Sequence, residues 1–211
     1  MNLKKINPNL QKGLIENGLT EANELQQQTF STIKSGADCI IISPEKSGKT
    51  TTIVLNVIQQ LVTEGEESPR ALIFVENKEK MLAMEELFET LGKYNPLHVY
   101  GVHDKSDIEF DKNYISTGID VLIGTPTRLN DMFTTAGYNV NRLKMVIVDD
   151  AETLLKARHE TKIMRISNSI AKTQRIIFSD VLTEKVDIFA EKFMIEPYFF
   201  DMENNEEEEI N

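Results

Sequence analysis

The chain has 211 residues, of which 40% are hydrophobic and 27% are charged. This length and composition predict one globular domain with a sizeable core and argue against an intrinsically disordered chain. No apolar run approaches the roughly 20 residues of a spanning helix, and the first residues lack a signal peptide's apolar stretch, so we expect neither membrane insertion nor secretion. The single cysteine, Cys39, excludes an intramolecular disulfide and suits a cytoplasmic protein.

The net charge of −11, from 34 acidic and 23 basic residues, argues against strong non-specific binding to nucleic acid. Proteins that contact many phosphates usually carry an excess of Lys and Arg. Five of the acids lie within residues 203–211. We therefore expect a single domain over residues 1–200, followed by an acidic, disordered tail over residues 201–211.

Helix-like and strand-like segments alternate along the chain. Asn7-Pro8 predicts the start of a first helix that ends at Gly18, and a second helix begins near Glu21. Short apolar runs predict strands at 39–42, 71–75, 97–100, 121–123, 145–148 and 175–178, and helical spacing predicts helices at 50–62, 78–91, 162–171 and 184–193. This alternation predicts an α/β fold with a mostly parallel sheet between helices, and ligands at the carboxyl ends of its strands.

A phosphate-binding loop is predicted directly after the first strand, in the segment Ser-Pro-Glu-Lys-Ser-Gly-Lys-Thr. Gly48 lets the backbone turn its N–H groups toward phosphates, Lys49 reaches the β and γ oxygens, and Thr50 offers a hydroxyl to Mg²⁺. The first glycine of the usual pattern is replaced by Ser43. The predicted nucleotide-binding residues in and beside this loop are Pro44, Glu45, Lys46, Ser47, Gly48, Lys49, Thr50 and Thr51.

The second half of the predicted site is a pair of acids that ends another apolar strand. Asp149 would hold Mg²⁺ through water, and Asp150 would polarise the attacking water. The alternative interpretation is that the two acids only cap the helix that follows. The phosphate-binding loop upstream favours the nucleotide site.

These segments, in their order, resemble the DEAD-box RNA helicase family. Residues 149–152, Asp-Asp-Ala-Glu, are similar to its Asp-Glu-Ala-Asp motif, and residues 18–26 are similar to its Q motif, in which Gln26 would recognise adenine. Residues 124–128, Gly-Thr-Pro-Thr-Arg, resemble the Thr-Pro-Gly-Arg segment that touches the RNA backbone. Residues 76–79 and 179–181 take the places of the Pro-Thr-Arg-Glu and Ser-Ala-Thr motifs.

The resemblance implies a three-layer RecA-like P-loop domain that binds ATP or ADP with Mg²⁺. It covers only the first of the family's two RecA-like domains, and the arginines that complete the ATP site belong to the second. We therefore expect weak or no hydrolysis, weak RNA binding and no autonomous unwinding. The implied roles are catalytic for Lys49, Asp149 and Asp150, metal-binding for Thr50 and Asp149, nucleic-acid-binding for Lys78, Thr125, Pro126 and Arg128, and coupling for Glu152 and Ser179.

Several departures from the family pattern fall at these functional positions. Asp150 replaces a glutamate and is one methylene shorter, so we expect the water that it should orient to lie too far away. Thr127 and Glu76 are expected to weaken RNA contact. The loss of the threonine at Val181, together with Glu152 in place of an aspartate, is expected to impair coupling between the two sites. Two alternatives follow: a degenerate domain retained as a protein-interaction or regulatory module without turnover, and a subunit whose second domain is supplied by another protein.

Overall fold

The computed structural model describes residues 2–65 and 68–202. In chain order the elements are α1 (Pro8–Glu16), α2 (Glu24–Lys34), β1 (Cys39–Ile42), α3 (Lys49–Leu61), β2 (Ala71–Phe74), α4 (Lys78–Leu91), β3 (Val99–Val102), α5 (Ile108–Ile115), β4 (Val121–Gly124), α6 (Pro126–Thr134), β5 (Met145–Val148), α7 (Ala151–Lys156), α8 (Glu160–Ser167), β6 (Gln174–Ser179), α9 (Glu184–Phe193) and β7 (Tyr198–Asp201). The predicted tail residues 203–211 lie outside the described residues.

The strands form one seven-stranded sheet in the order β3-β4-β2-β5-β6-β1-β7. Every pair of neighbouring strands is parallel. The sheet is therefore wholly rather than mostly parallel over the described residues, and the predicted three-layer RecA-like α/β fold class is confirmed.

Alternate residues of the central strands face two separate apolar cores, one on each side of the sheet. Cys39 and Ile41 of β1 pack into the core under α1 to α4, whereas Ile40 and Ile42 pack into the core under α5 to α9. The central strands appear in the sequence as continuous apolar runs because both of their faces are buried. No helix among the described residues has the length and apolar character needed to cross a membrane.

Helix boundaries follow local capping chemistry. The Asn7 side chain accepts hydrogen bonds from the backbone of Asn9 and Leu10 at the start of α1, with Pro8 in the first turn as predicted. The second helix begins at Glu24 rather than near Glu21, because Asn23 and Gln26 form a capping box. Capping thus places Gln26 in the first turn of α2, which adjoins the phosphate-binding loop.

Candidate nucleotide site

A cleft of about 530 Å³ opens at the carboxyl ends of four neighbouring strands, β2, β5, β6 and β1. Each strand is followed by residues that line it, so segments far apart in sequence meet at one edge of the sheet. The lining residues are Glu45, Lys46, Gly48, Lys49, Thr50, Thr51, Glu76, Lys80, Asp149, Asp150, Glu152, Thr153 and Asp180. The cleft lining therefore contains both predicted acids and the predicted nucleotide-binding residues of the phosphate-binding loop except Pro44 and Ser47.

The loop after β1 is shaped by one obligatory glycine. Gly48 has a φ of 92°, and a Cβ built there would lie 2.8 Å from the Nδ2 atom of Asn23. That amide donates a hydrogen bond of 2.8 Å to the carbonyl of Ser47 and so holds the loop against the start of α2. Asn23 could not be identified as a site residue from the sequence, since an asparagine before a helix indicates only a cap.

Replacement of the first loop glycine by Ser43 does not strain the backbone. Ser43 has a negative φ, whereas Lys46 in the same loop has a φ of 64°. The Ser43 N–H donates to the carbonyl of Ser179, which continues the β1–β6 pairing by one residue. The altered pattern is therefore compatible with a normally turned loop.

Lys49, the first residue of α3, is buried, and its ammonium group has three partners within the protein. Its Nζ donates to the carbonyls of Ser43 at 3.0 Å and Pro44 at 3.1 Å, and it forms an ion pair with the Asp180 carboxylate. An ammonium has three N–H donors, so these contacts use all of them. A phosphate can reach Lys49 only by replacing one of these partners.

The two predicted acids lie together after β5 and differ in their surroundings. Burial and the neighbouring charge of Asp150 raise the pKa of Asp149, although the charges of Lys80 and Lys49 oppose this. Asp150 has a left-handed backbone with φ of 48° and forms an ion pair of 2.5 Å with Lys80. The prediction that the Asp150 side chain is too short to orient a water stays a prediction, and the structure shows in addition that its carboxylate is paired with a lysine.

Lys80 is the second functional candidate that the sequence analysis missed. Burial lowers its pKa, but the hydrogen bond and charge of Asp150, with the charges of Asp149 and Glu76, outweigh burial and raise it. Lys80 is therefore a cation in this cleft. It lies 70 residues from Asp150 in the chain, so no short sequence motif predicts that the two residues pair.

The predicted coupling residues do make contact. One carboxylate oxygen of Glu152 accepts hydrogen bonds from the Ser179 hydroxyl and, at 3.1 Å, from the Asp180 N–H. The Glu152 side chain therefore reaches Ser179, whereas impaired coupling between the two sites stays a prediction. The contact also fixes the backbone from which the Asp180 side chain extends toward Lys49.

The cleft has the donor set that Mg²⁺ prefers. Thr50 and Asp149, the predicted ligands, both line it, and carboxylate oxygens of Asp150, Glu152 and Asp180 lie within 4.8 Å of one another. Hydroxyl and carboxylate oxygens suit this hard cation, especially where phosphate supplies further ligands. The residues therefore fit the predicted metal, with more acids than the sequence analysis assigned to it.

Gln26 lies beside the loop but not in the cleft lining. It is 4% exposed, and its side-chain oxygen accepts a hydrogen bond from the Asn23 N–H in the capping box. Its Nε2 would be 3.9 Å from a Cβ at Gly48. The structure therefore places the predicted adenine-recognising amide next to the loop, with its oxygen already occupied.

The predicted nucleic-acid residues do not form one open cationic surface. Lys78 is exposed at the start of α4, whereas Thr125, Pro126 and Arg128 are buried. The Arg128 guanidinium donates to the His103 carbonyl and the Ser106 hydroxyl, and it lies 3.6 Å from the Asp111 carboxylate. In this arrangement the guanidinium serves internal partners rather than a phosphate.

Comparison with known proteins assigns the family. A family model described as DEAD/DEAH box helicase matches residues 23–189. The chain is 27% identical over 198 residues to "ATP-dependent RNA helicase eIF4A" of Scheffersomyces stipitis, covering 93% of this chain and 49% of that protein. It is 26% identical over 189 residues to "Eukaryotic initiation factor 4A" of Dictyostelium discoideum, covering 89% and 46%. The chain spans about half the length of these curated relatives, and with most of its residues matched by the family model it belongs to the DEAD/DEAH box helicase family.

Proposed function

We propose that this domain binds ATP or ADP with Mg²⁺ in the cleft at the carboxyl edge of the sheet. The observation that carries the proposal is the meeting of Gly48, Lys49 and Thr50 with Asp149 in one cleft. The loop backbone and the start of α3 would bind phosphate, since a helix N-terminus presents unpaired N–H groups and positive potential. Bound Mg²⁺ would neutralise phosphate charge. Gln26 remains our proposed adenine-recognising residue.

We propose that hydrolysis by this domain is weak or absent. The Asp150 carboxylate is paired with Lys80 at 2.5 Å, so the lysine would compete with an attacking water for this carboxylate. A charge-stabilising arginine is worth about 10³ to 10⁵ in rate at related phosphoryl-transfer sites, and no arginine lines the described cleft. A partner protein that supplies a second domain would be the source of such arginines.

Weak RNA binding and no autonomous unwinding belong to the same proposal. The negative charge of the chain and the internal contacts of Arg128 support weak RNA binding. With few phosphates neutralised, the affinity for RNA would fall only shallowly with salt. Any such binding would take place in the cytoplasm, to which the lone Cys39 is suited.

One observation favours the alternative function, a protein-interaction or regulatory module without nucleotide turnover. Two of the three lysines that line the cleft, Lys49 and Lys80, are already paired with acids of the same chain. A site in which most of the cations are paired internally can persist as a folded relic. Nucleotide titration separates the two functions.

The test is calorimetric titration of Mg-ATP and Mg-ADP against the purified chain. We expect dissociation constants between about 1 μM and 1 mM. Lys49→Ala should abolish binding, because it removes the phosphate-facing ammonium. Lys156→Ala, which removes an equal charge from the exposed end of α7, should bind like the unsubstituted chain.

A second variant tests nucleotide binding independently of whether Lys49→Ala folds. Thr50→Ala should weaken Mg-nucleotide binding without unfolding the chain, because the Thr50 hydroxyl makes no hydrogen bond within the described part of the structure. Absence of heat with either nucleotide at millimolar concentration would contradict nucleotide binding and favour the interaction module.

A further inference from the structure

Asp180 occupies a distinctive position in the cleft. Strand β6 lies between β5, which leads to Asp149, and β1, which leads to the phosphate-binding loop. Asp180 immediately follows β6, so its carboxylate lies between the two halves of the nucleotide site. In the sequence this residue stands where the family motif Ser-Ala-Thr has a small, uncharged side chain.

The Asp180 side chain is held in place by its neighbours. Its backbone N–H donates to Glu152, and the adjacent Ser179 hydroxyl contacts both Glu152 and the Val181 carbonyl. From this anchored backbone the carboxylate reaches the Lys49 Nζ. Side-chain exposures of 9% for Lys49 and 25% for Asp180 place the ion pair largely away from solvent, where charge interactions are stronger than in bulk water.

We propose that Asp180 is a specificity-determining residue that competes with the terminal phosphate of a nucleoside triphosphate for Lys49. This inference rests on the proposed nucleotide binding. In a phosphate-binding loop the backbone N–H groups hold the inner phosphates, whereas the lysine reaches the outer ones. A carboxylate on that lysine therefore opposes a triphosphate more strongly than a diphosphate.

The negative charge around Asp180 strengthens the discrimination between ADP and ATP. Carboxylate oxygens of Asp150 and Glu152 lie within 4.8 Å of its own, so a γ-phosphate that displaces Asp180 would enter a cluster of three acids. A diphosphate ends nearer the loop and brings less negative charge into this cluster. Because like charges at close range oppose binding, the cleft should favour ADP over ATP more than it would without Asp180.

The experiment measures the affinities of Mg-ATP and Mg-ADP for the full chain, for Asp180→Asn and for Asp187→Asn. Asp180→Asn should raise ATP affinity about tenfold and ADP affinity less than about threefold, because it removes the competing charge at nearly constant shape. Asp187→Asn removes the same charge from the exposed face of α9 and should leave both affinities unchanged.

An unchanged ATP-to-ADP ratio in Asp180→Asn, or a loss of affinity for both nucleotides, would overturn the inference and leave an ordinary structural ion pair. Asp180→Ala serves as a second variant if the asparagine form does not fold. Failure of both variants to fold would also overturn it, by showing that the pair is required for the fold. If no nucleotide binds to the full chain or to either variant, the proposed function itself fails.

Discussion

Buried acids at the amino ends of the parallel strands, here called the amino edge of the sheet, differ in their hydrogen bonding from those at the carboxyl ends, the carboxyl edge. At the amino edge, where the strands begin, Asp120 is 1% exposed and both of its oxygens are bonded. It accepts from Arg70 Nε at 3.0 Å and Nη2 at 2.6 Å, and from the backbone N–H groups of Gly65 at 2.7 Å and His98 at 2.9 Å. This carboxylate joins three segments of the chain and has its donors in place.

At the carboxyl edge the acids outnumber their donors. Asp149 accepts a single hydrogen bond within the described structure, from the Asp150 N–H at 3.2 Å. Of the three lysines in the cleft lining, only Lys49 and Lys80 form ion pairs with its acids. Buried acids with full sets of donors stabilise a fold, whereas crowded acids with few donors cost stability unless a ligand compensates. The amino edge is thus organised for stability and the carboxyl edge for binding.

The largest effect expected from this difference is at Asp120. Asp120→Asn replaces one carboxylate oxygen by an amide NH₂ group, which cannot accept a hydrogen bond from Arg70, Gly65 or His98. It should therefore lower the free energy of unfolding by about 3 to 5 kcal/mol. The matched substitution at the carboxyl edge, Asp150→Asn, should cost about 1 kcal/mol or less, because its partner Lys80 is 44% exposed in its side chain and Asn tolerates a left-handed backbone. Urea denaturation of both variants measures the contrast, and equal losses would refute it.

A smaller effect of opposite sign is expected at Asp149. Burial and the charge of Asp150 raise its pKa above the value in the unfolded chain. The folded state therefore loses stability as the pH rises from the unfolded pKa toward that raised pKa, and the full loss remains above it. Asp149→Asn should therefore increase the free energy of unfolding by about 1 kcal/mol in mildly alkaline buffer, while Mg-dependent nucleotide binding is lost. Denaturation in the absence of Mg²⁺ tests this, and a destabilised variant would contradict it.

The smallest effect is expected at Lys80. Lys80→Gln removes the partner of Asp150, but the exposed ammonium is already well solvated, so the free energy of unfolding should fall by less than about 1 kcal/mol. Lys78→Gln, on the same helix and exposed, is the control for loss of charge from α4. A loss at Lys80 as large as that at Asp120 would show that the carboxyl edge is as important for stability as the amino edge.

The sheet was predictable because its central strands are buried on both faces. Runs such as Cys39–Ile42 and Met145–Val148 allow no polar residue, so their apolar character is visible without any alignment. The last strand, Tyr198–Asp201, was missed because it is the outermost strand of the sheet on the β1 side. Its first two side chains are at least half exposed, so it is not buried on both faces as the central strands are. Helix α6 was also missed, since Thr125-Pro126 was interpreted only as a nucleic-acid motif although it also caps a helix.

The site was predictable only in its local parts. Gly48, Lys49, Thr50 and Asp149 could be placed in one cleft because the loop that leads to the first three follows one predicted strand and Asp149 follows another. The pairing of Lys49 with Asp180 joins residues 131 positions apart and depends on β6 lying beside β1. Strand order is not readable from apolar runs, so the pairs that set the charge of the cleft appear only in the folded structure.

The position of β1 also has a consequence for synthesis of the protein. Its neighbours are β6 and β7, so Ile42 finds its first strand partner only after the chain has been made through Ser179. At a translation rate of about 5 to 20 residues per second, this delay is on the order of ten seconds. We therefore expect the phosphate-binding loop to be the last part of the cleft to form on the ribosome, with β1 exposed as an unpaired apolar strand until then.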